Sequence, residues 1–399
     1  AIEPIAGGVL AVPGMRGGAT CCGLYDEDRE DLALFVADRV CAVAGVFTRN
    51  AVPAAPVVLT RQAIVDDPRA RSIVINAGNA NALTGEQGWE AAAAMRVRTE
   101  ERCGGPALVL STGVIGVPLP VDRVLGGIDA AAAVLSADDE APVARAILTT
   151  DTRTKTAAVR VSPPGRCPIH IGGVAKGSGM IHPNMATMLA VVAIDAKIDP
   201  AVLRSMLTEA TDRSFHRISV DGDTSTNDAV LVLARPTPGA SIEPGSAAHA
   251  AVREGLTGVC ANLAEQIVAD GEGVSKVLQV EIAGAETEDA ARRVAQAVAC
   301  SLLVKTAVAG RDPNWGRIIA VAGNAGVPID PSRIRLTLGG VDVFRDGAPV
   351  PIGPEEERRI FGNEILVARL DLGQGTCSAK MLTTDLTYEY VRINAEYTT

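Results

Sequence analysis

Aromatic side chains make up only 3% of the 399 residues, so any core must be built from Ala, Val, Leu and Ile rather than from large rings. No stretch approaches the roughly 18 consecutive apolar residues that a membrane-spanning helix needs. Basic residues are outnumbered, with 37 Lys and Arg against 47 Asp and Glu, a formal net charge of -10. No basic run interrupts that acidity, which argues against nucleic acid or an anionic membrane as partner. Small molecules are the expected ligands, and an anionic one would have to find individual Lys or Arg residues. Ala1 to Gly18 has no basic flank followed by an apolar stretch and does not read as a secretory signal. The eight cysteines are scattered apart from the neighbours Cys21 and Cys22, so a disulfide framework is not expected and a reducing cytoplasm is. The four histidines, His170, His182, His216 and His249, form no metal-binding pattern. Cys167 and His170 have ligand spacing with no second half, so no metal is predicted. Internal repeats and low-complexity tracts are missing too.

Apolar residues nonetheless reach 47%, ample for a core. A single core rarely grows beyond roughly 250–300 residues, so two domains, or one layered domain with an appendage, are expected. Residues Glu30 to Phe47 mix strand-like and helix-like runs before the turn-prone Thr48-Arg49-Asn50. Ser72 to Asn76 reads as a short buried strand and Glu86 to Glu101 as an Ala-rich helix. Ala107 to Leu110 reads as a second strand, closed by Ser111-Thr112-Gly113. Met188 to Ile194 and Ala229 to Leu233 are continuous apolar runs of strand length. Asp199-Pro200 predicts a helix start, with Asp as cap and Pro at the first helical position. A long helix carries Val252, Leu256, Val259, Leu263 and Ile267 on one face and ends at Asp270-Gly271-Glu272-Gly273. Leu278, Val280 and Ile282 alternate as a half-buried strand. Strands and helices alternate throughout, which predicts a layered α/β architecture. Arg235 to Pro244 reads as a surface loop, and a domain boundary is placed after about Ala285.

The densest cluster of unusual residues runs from Gly172 to Thr187, read as a glycine-rich loop that carries Lys176 and delivers Thr187 to the head of a buried strand. A Thr hydroxyl is a weak nucleophile and needs a base. An N-terminal Thr supplies its own, because an α-amino group titrates at about 7.7–8.0. Cleavage after Ala186 would create that terminus: the Thr187 hydroxyl attacks the preceding carbonyl, and water hydrolyses the resulting ester. On the residues alone, a plain turn leading into a strand accounts for the same pattern. A phosphate-binding loop does not, since Gly177 rather than Ser or Thr follows Lys176.

The stretch KGSGMIHPNMATML, Lys176 to Leu189, resembles the self-cleavage signature of the ornithine acetyltransferase family, also called glutamate N-acetyltransferase. Eight more stretches resemble that family in order along the chain. They are AGVFTRN (Ala44 to Asn50), NAGNANALTG (Asn76 to Gly85), STGVIG (Ser111 to Gly116), TTDTRTK (Thr149 to Lys155), SVDGDTSTND (Ser219 to Asp228), DGEG (Asp270 to Gly273), VKTAVAGRDPNWGR (Val304 to Arg317) and DLTYEYVRINAEYTT (Asp385 to Thr399). Two departures are local: His182 stands where many relatives carry Ala, and Met381 to Thr384 replaces a common Gly-Cys.

The resemblance implies that Thr187 attacks the acetyl group of N-acetylornithine and becomes acetylated. Ornithine then leaves, glutamate enters and N-acetylglutamate departs. It implies an oxyanion hole at Thr112 and Gly113, and substrate binding by Thr150, Lys176, Thr187, Glu272, Asn394 and Thr399. Thr149 adjoins Thr150, and the choice within that pair is open. Lys176 suits a substrate carboxylate and Glu272 a substrate ammonium group, although without the family both would read as solvated turn or loop charges. Asn394 and Thr399 would reach the site on a tail packed through Leu386, Tyr390 and Ile393. The implied fold is an αββα sandwich-like catalytic domain, 1–285, with a smaller C-terminal α/β domain, 286–399. Its two fragments, 1–186 and 187–399, are expected to stay paired and to form homo-oligomers. The acyl group rides on the protein, so no cofactor is expected. Rival readings are a bifunctional enzyme that also uses acetyl-CoA, a relative with altered acceptors, an N-terminal-nucleophile amidase or peptidase, and a non-enzyme whose chain stays uncut.

Overall fold

The computed structural model describes residues 1–182, 188–239 and 241–396. The predicted cleavage pair Ala186 and Thr187, and the terminal Thr399, lie outside the described residues. The chain divides into two compact units. Among the described residues, the first holds 1–216 and 223–267, and the second holds 217–222 and 268–396.

The first unit is organised by a mixed sheet of nine strands. These are β1 (Ile2–Ile5), β2 (Met15–Thr20), β3 (Leu32–Phe47), β4 (Arg69–Asn79), β5 (Ala107–Val114), β6 (Lys155–Val161), β7 (Ile169–Lys176), β8 (Leu189–Ile194) and, after a short strand β9 (Ile218–Ser219) of the second unit, β10 (Ala229–Ala234). Their spatial order is β1-β6-β7-β8-β10-β3-β4-β5, with β2 paired to β3. The 16-residue β3 is the spine. It breaks register with β4 between Val36 and Cys41, and the intervening Asp38, Arg39 and Val40 are exposed. That interruption explains why the stretch looked part helical in sequence. Before the break β3 pairs with β2 and β4; after it β3 pairs with β10, and Cys41 and Ala42 resume the pairing with β4.

The two halves of the sheet share one apolar cluster, in which Phe35, Ile73, Ile75, Leu108 and Leu110 meet Val174, Val191, Leu231 and Leu233. The sheet is thus folded onto itself as two β layers. Helix α1 (Ala55–Asp66) caps the β5 edge, where Thr60 Oγ1 donates to the Val109 carbonyl at 2.7 Å. Helices α2 (Gly85–Cys103) and α3 (Val121–Ala133) cover the outer face of one half through Met95, Val124 and Ile128. A short α4 (Ala141–Ala146) joins the inner cluster. Helix α5 (Pro200–Asp212) starts where Asp199 accepts from the Ala201 amide at 2.8 Å. Helix α6 (Ala247–Ala269) lies on the other half, so close that a Cβ on Gly255 would stand 2.7 Å from Val161 and 2.9 Å from Ile171. The result is an αββα layering. Strands β8 and β10 pair in parallel and are buried at every position, which is why both are unbroken apolar runs.

Two sequence expectations need correction. Gly172 and Gly173 are not in a loop but inside β7, and Lys176 is that strand's last residue. These glycines serve close approach: a Cβ on Gly172 would sit 1.9 Å from the carbonyl oxygen of Gly8. Likewise Ser111, Thr112 and Gly113 do not close a strand. β5 continues through them, pairing Thr112 with Ala77 and Gly113 with Gly78.

The second unit is a seven-stranded sheet built from β9, β11 (Val277–Ala285), β12 (Arg335–Leu338), β13 (Val341–Arg345), β14 (Ala348–Pro349), β15 (Ile365–Asp371) and β16 (Cys377–Thr384), in the order β14-β13-β12-β15-β11-β16-β9. Leu278, Val280 and Ile282 of β11 point into a core shared with Val294 and Val298 of α7 (Glu288–Ala299), and the alternate residues of β11 are less buried. Helices α8 (Leu302–Ala309), α9 (Trp315–Gly323) and α10 (Pro354–Ile360) add to the same core. The chain then enters α11 (Tyr388–Glu396). No described helix is long and apolar enough to cross a membrane.

Candidate functional site

Several predicted positions gather in the first unit where β5 and β7 face one another. Lys176 is only 2% exposed, and its Nζ donates to Thr149 Oγ1 at 2.7 Å and Thr112 Oγ1 at 3.3 Å. Lys176 is therefore neither a loop residue nor solvated. A hydroxyl that accepts from an ammonium group turns its own hydrogen away from it, so Thr112 is oriented as a donor. Gly113 follows with φ +131, and a Cβ there would lie 2.2 Å from the Gly78 carbonyl carbon. Only glycine lets β4 and β5 approach this closely. Of the adjacent threonines, it is Thr149 rather than Thr150 that receives the Lys176 hydrogen bond.

Behind Lys176 stands Asp151, which sequence reasoning did not single out. Its side chain is fully buried, accepts from Lys155 Nζ at 2.6 Å and lies 3.9 Å from Lys176 Nζ. It also accepts from the Gly177 amide at 2.7 Å and the Thr149 amide at 3.1 Å. Burial would raise this carboxyl, but the charges of Lys176 and Lys155, with the Gly177 amide, outweigh burial and hold it down at about 2. The four-residue spacing of Asp151 and Lys155 within TTDTRTK was the available signal. Nothing local marked either residue as buried.

A second missed pair precedes β10. Asn227 donates from Nδ2 to the Ala80 carbonyl at 2.6 Å and the Ser111 carbonyl at 2.8 Å, while Thr226 Oγ1 donates to its Oδ1 at 2.6 Å. Ser111 in turn donates to Asn76 Oδ1 at 2.6 Å. Asp228 is fully buried, and its Oδ1 accepts from the Met188 amide at 3.2 Å. Its Oδ2 has no hydrogen-bond partner among the described residues. Burial pushes this carboxyl well above the usual carboxylate range, against the pull of the Met188 amide, Thr48 and Lys176. Burial thus works against ionisation of Asp228, whereas its surroundings hold Asp151 charged. His182 is half-buried, and burial moves its imidazole below the usual range, while the charge of Asp223 pulls the other way.

In the second unit, Glu272 and Asn394 come together from 122 residues apart: Asn394 Nδ2 donates to Glu272 Oε2 at 2.7 Å. Glu272 is 8% exposed, not a solvated turn residue. The following Gly273 has φ +65, and a Cβ there would meet the Tyr390 amide nitrogen at 2.4 Å. Thr387 Oγ1 donates to the Gly273 carbonyl at 2.7 Å, pinning the start of α11 to that turn. Leu386, Tyr390 and Ile393 are each partly buried along the inner side of this tail. Among the described residues no group of three or more His, Cys, Asp or Glu is placed to hold a metal ion.

Comparison with known proteins extends over the same residues. The sequence model of the ArgJ family matches residues 16–399. The arginine biosynthesis bifunctional protein ArgJ of Symbiobacterium thermophilum is 48% identical over 404 residues, spanning the whole of both chains. The protein of the same name from Thermosynechococcus vestitus is 44% identical over 418 residues, covering 100% of this chain and 99% of that one. A crystal structure of the Bacillus halodurans arginine biosynthesis bifunctional protein, 36% identical, covers 51% of this chain and 96% of its own, with a TM-score of 0.48. A family match over residues 16–399, together with relatives that run the full length of the chain, establishes that this chain belongs to the ArgJ family.

Proposed function

We propose that the chain is an ornithine acetyltransferase of arginine biosynthesis, which moves acetyl from N-acetylornithine to glutamate through an acetyl-Thr187 intermediate. The observation that carries the reading is the buried meeting of Lys176, Thr112 and Thr149, in a chain whose next strand follows residue 187. Cleavage between Ala186 and Thr187 gives Thr187 an amine, which takes the hydroxyl proton as oxygen attacks the acetyl carbonyl. The oxyanion of the tetrahedral intermediate is stabilised by the Thr112 hydroxyl and by Gly113. Collapse expels ornithine, and the glutamate amine then attacks the acetyl-Thr ester to regenerate the hydroxyl. Lys176 supplies the positive charge for a substrate carboxylate. Thr150, Glu272, Asn394 and Thr399 complete the substrate-binding set, with Glu272 taking the ammonium group. The protein itself carries the acyl group, so the exchange calls for no cofactor. The fragments 1–186 and 187–399 remain paired, form homo-oligomers and work in the cytoplasm.

A second reading is favoured by the names of the relatives, which describe bifunctional proteins. In that reading the same threonine also accepts acetyl from acetyl-CoA. One experiment separates the readings. One sample of purified protein is run under denaturing conditions, and native samples are incubated with N-acetylornithine, or with acetyl-CoA, before peptide mass spectrometry. Two fragments meeting at Ala186/Thr187 and an added acetyl on Thr187 are expected with N-acetylornithine. An uncut active chain, or acetyl on another residue, refutes the proposal. Acetylation by acetyl-CoA establishes the second activity.

A further inference from the structure

The dipeptide Asn227-Asp228 lies at the head of β10, between the strand that leads away from Thr187 and the strand that holds Thr112 and Gly113. Its two side chains reach in different directions. Asp228 Oδ1 takes the Met188 amide at 3.2 Å, and the next backbone amide, Ala229, donates to the Met188 carbonyl at 3.2 Å. Both polar backbone groups of Met188 are therefore tied to consecutive residues. The carboxyl extends the β8–β10 ladder one step past its last backbone pair, Ala229 with Leu189. Met188 is bonded directly to residue 187, so fixing its amide limits where the preceding residue can go.

Asn227 works on the other strand. Its amide spends both donor hydrogens, one on the Ser111 carbonyl and one on the Ala80 carbonyl, and its oxygen accepts from Thr226. With donors and acceptor all occupied, its orientation is fixed and it cannot flip. The Ser111 carbonyl belongs to the peptide group whose nitrogen is that of Thr112. Ser111 Oγ continues the chain to Asn76, whose Nδ2 donates to the Asn79 carbonyl at 2.8 Å beside the close approach at Gly113. The segment is itself anchored, because Thr48 donates from Oγ1 to the Ser225 carbonyl at 2.7 Å and from its amide to the Asp228 carbonyl at 3.0 Å.

We propose that Asn227 and Asp228 are positioning residues for acyl transfer: by consecutive side chains they tie the start of the nucleophile's strand to the strand of the oxyanion donors and set the spacing between them. The inference rests on the acetyl-Thr187 reading given above. The two residues act through Met188 and Ser111, and an error of a fraction of an ångström in that spacing acts on the transition state far more than on substrate binding.

The chemistry of the pair yields an asymmetric test. Asp228→Asn keeps an oxygen that can accept from the Met188 amide, whereas Asn227→Asp discards both hydrogens that hold Ser111 and Ala80. The two changes are nearly identical in shape. Full-length Asp228→Ala, Asp228→Asn, Asn227→Ala and Asn227→Asp chains are measured for rate of cutting at Ala186/Thr187, for kcat per cut chain, for KM with N-acetylornithine and for unfolding midpoint. Both alanine variants are expected to lose about 10²-fold in kcat, with KM within a factor of about three. Asp228→Asn recovers most of that loss, and Asn227→Asp recovers none. If kcat per cut chain and cutting rate stay at the wild-type value while only the midpoint falls, the pair is structural and the proposal is overturned. Equal behaviour of the two isosteric variants overturns it as well, and that comparison holds even where an alanine variant fails to fold. Wild-type chains that never carry acetyl on Thr187 would instead refute the functional reading itself, an outcome visible before any variant is made.

Discussion

Replacing Asp151 with Asn is the sharpest perturbation of the site, because it alters charge with little change of shape. The carboxylate lies between two lysines, and the side chains of Asp151 and Lys155 are both fully buried, with that of Lys176 3% exposed. Asparagine still accepts one hydrogen bond but offers no charge. Removing one partner from a buried ion pair usually costs about 3–5 kcal/mol, since the remaining charge keeps its desolvation penalty. Proton linkage gives a second, smaller figure. The carboxyl is held at about 2 against an ordinary 3.8, and nearly two pH units at 1.36 kcal/mol each come to about 2 kcal/mol at neutral pH. The first figure is the better guide to the substitution, because linkage counts only the preference for a proton and not two lysines deprived of their countercharge.

The same numbers fix the pH dependence. A carboxyl whose folded value is depressed contributes stability that is present above the unfolded value, near 3.8, and lost as pH falls through about 2. Urea unfolding of wild type and Asp151→Asn at neutral pH should show a lower midpoint for the variant at unchanged slope. Repeated at descending pH, the gap between the two should shrink between about pH 4 and pH 2. Acetylation of Thr187 should slow by roughly 10² as Lys176 and the Thr112 hydroxyl relax from their places. Coincident urea midpoints at neutral pH, or a gap that does not narrow in acid, would refute the claim that Asp151 is a buried charge holding two lysines.

Three further outcomes follow from the geometry. Lys176→Met should raise the apparent KM for N-acetylornithine by about 10–10²-fold, the worth of a charged hydrogen bond, and an unchanged KM removes Lys176 from the role of carboxylate partner. Deleting the last six residues, Asn394 to Thr399, removes the hydrogen bond to Glu272 but leaves the Thr387 anchor, so activity should fall much more than the unfolding midpoint; a fully active truncated chain defeats the idea. Gly113→Ala must relieve a 2.2 Å approach to the Gly78 carbonyl carbon at φ +131, and should cost about 1–3 kcal/mol as well as most of the transfer rate, measured by urea unfolding and acetyl exchange.

What was legible in the sequence was whatever depends on periodicity or on one residue's backbone habit. Strands β8 and β10 announce themselves because burial on both faces leaves no polar position, and β11 because only one of its faces is buried. Asp199-Pro200 marked the start of α5 through a cap that the structure forms. Glycine misled. At Gly172 and Gly173 it was read as turn chemistry, but the residue has two uses, and here it is the small size that matters: at Gly172 the carbonyl of Gly8 occupies the space of a side chain. No local pattern separates those uses, since the neighbour lies some 160 residues away in sequence. Thr112 and Lys176 came from family resemblance, not from pattern. Asp151, Asn227 and Asp228 escaped because polar residues in short segments between strands look solvated until the tertiary structure closes over them.

Those buried polar residues also show how the electrostatics at Thr112 are arranged. Two carboxyls lie near Lys176, and they are treated oppositely. Asp151 receives hydrogen bonds from an ammonium group and two amides and stays ionised. Asp228 accepts from the Met188 amide at its Oδ1, leaves its Oδ2 without a partner among the described residues, and is pushed by burial well above the usual carboxylate range. Of these groups, then, one carboxylate serves two lysines, and burial disfavours a second negative charge at Asp228. The field at the Thr112 hydroxyl is tilted positive by construction. Ionising Asp228 would cancel that tilt within reach of Lys176. A tetrahedral intermediate places a new negative charge on oxygen, and a site already biased in that direction need not reorganise to receive it. In water the same charges would be screened to little effect. Burial is therefore the condition under which a lysine, a hydroxyl and a carboxyl reluctant to ionise can favour attack by as reluctant a nucleophile as threonine.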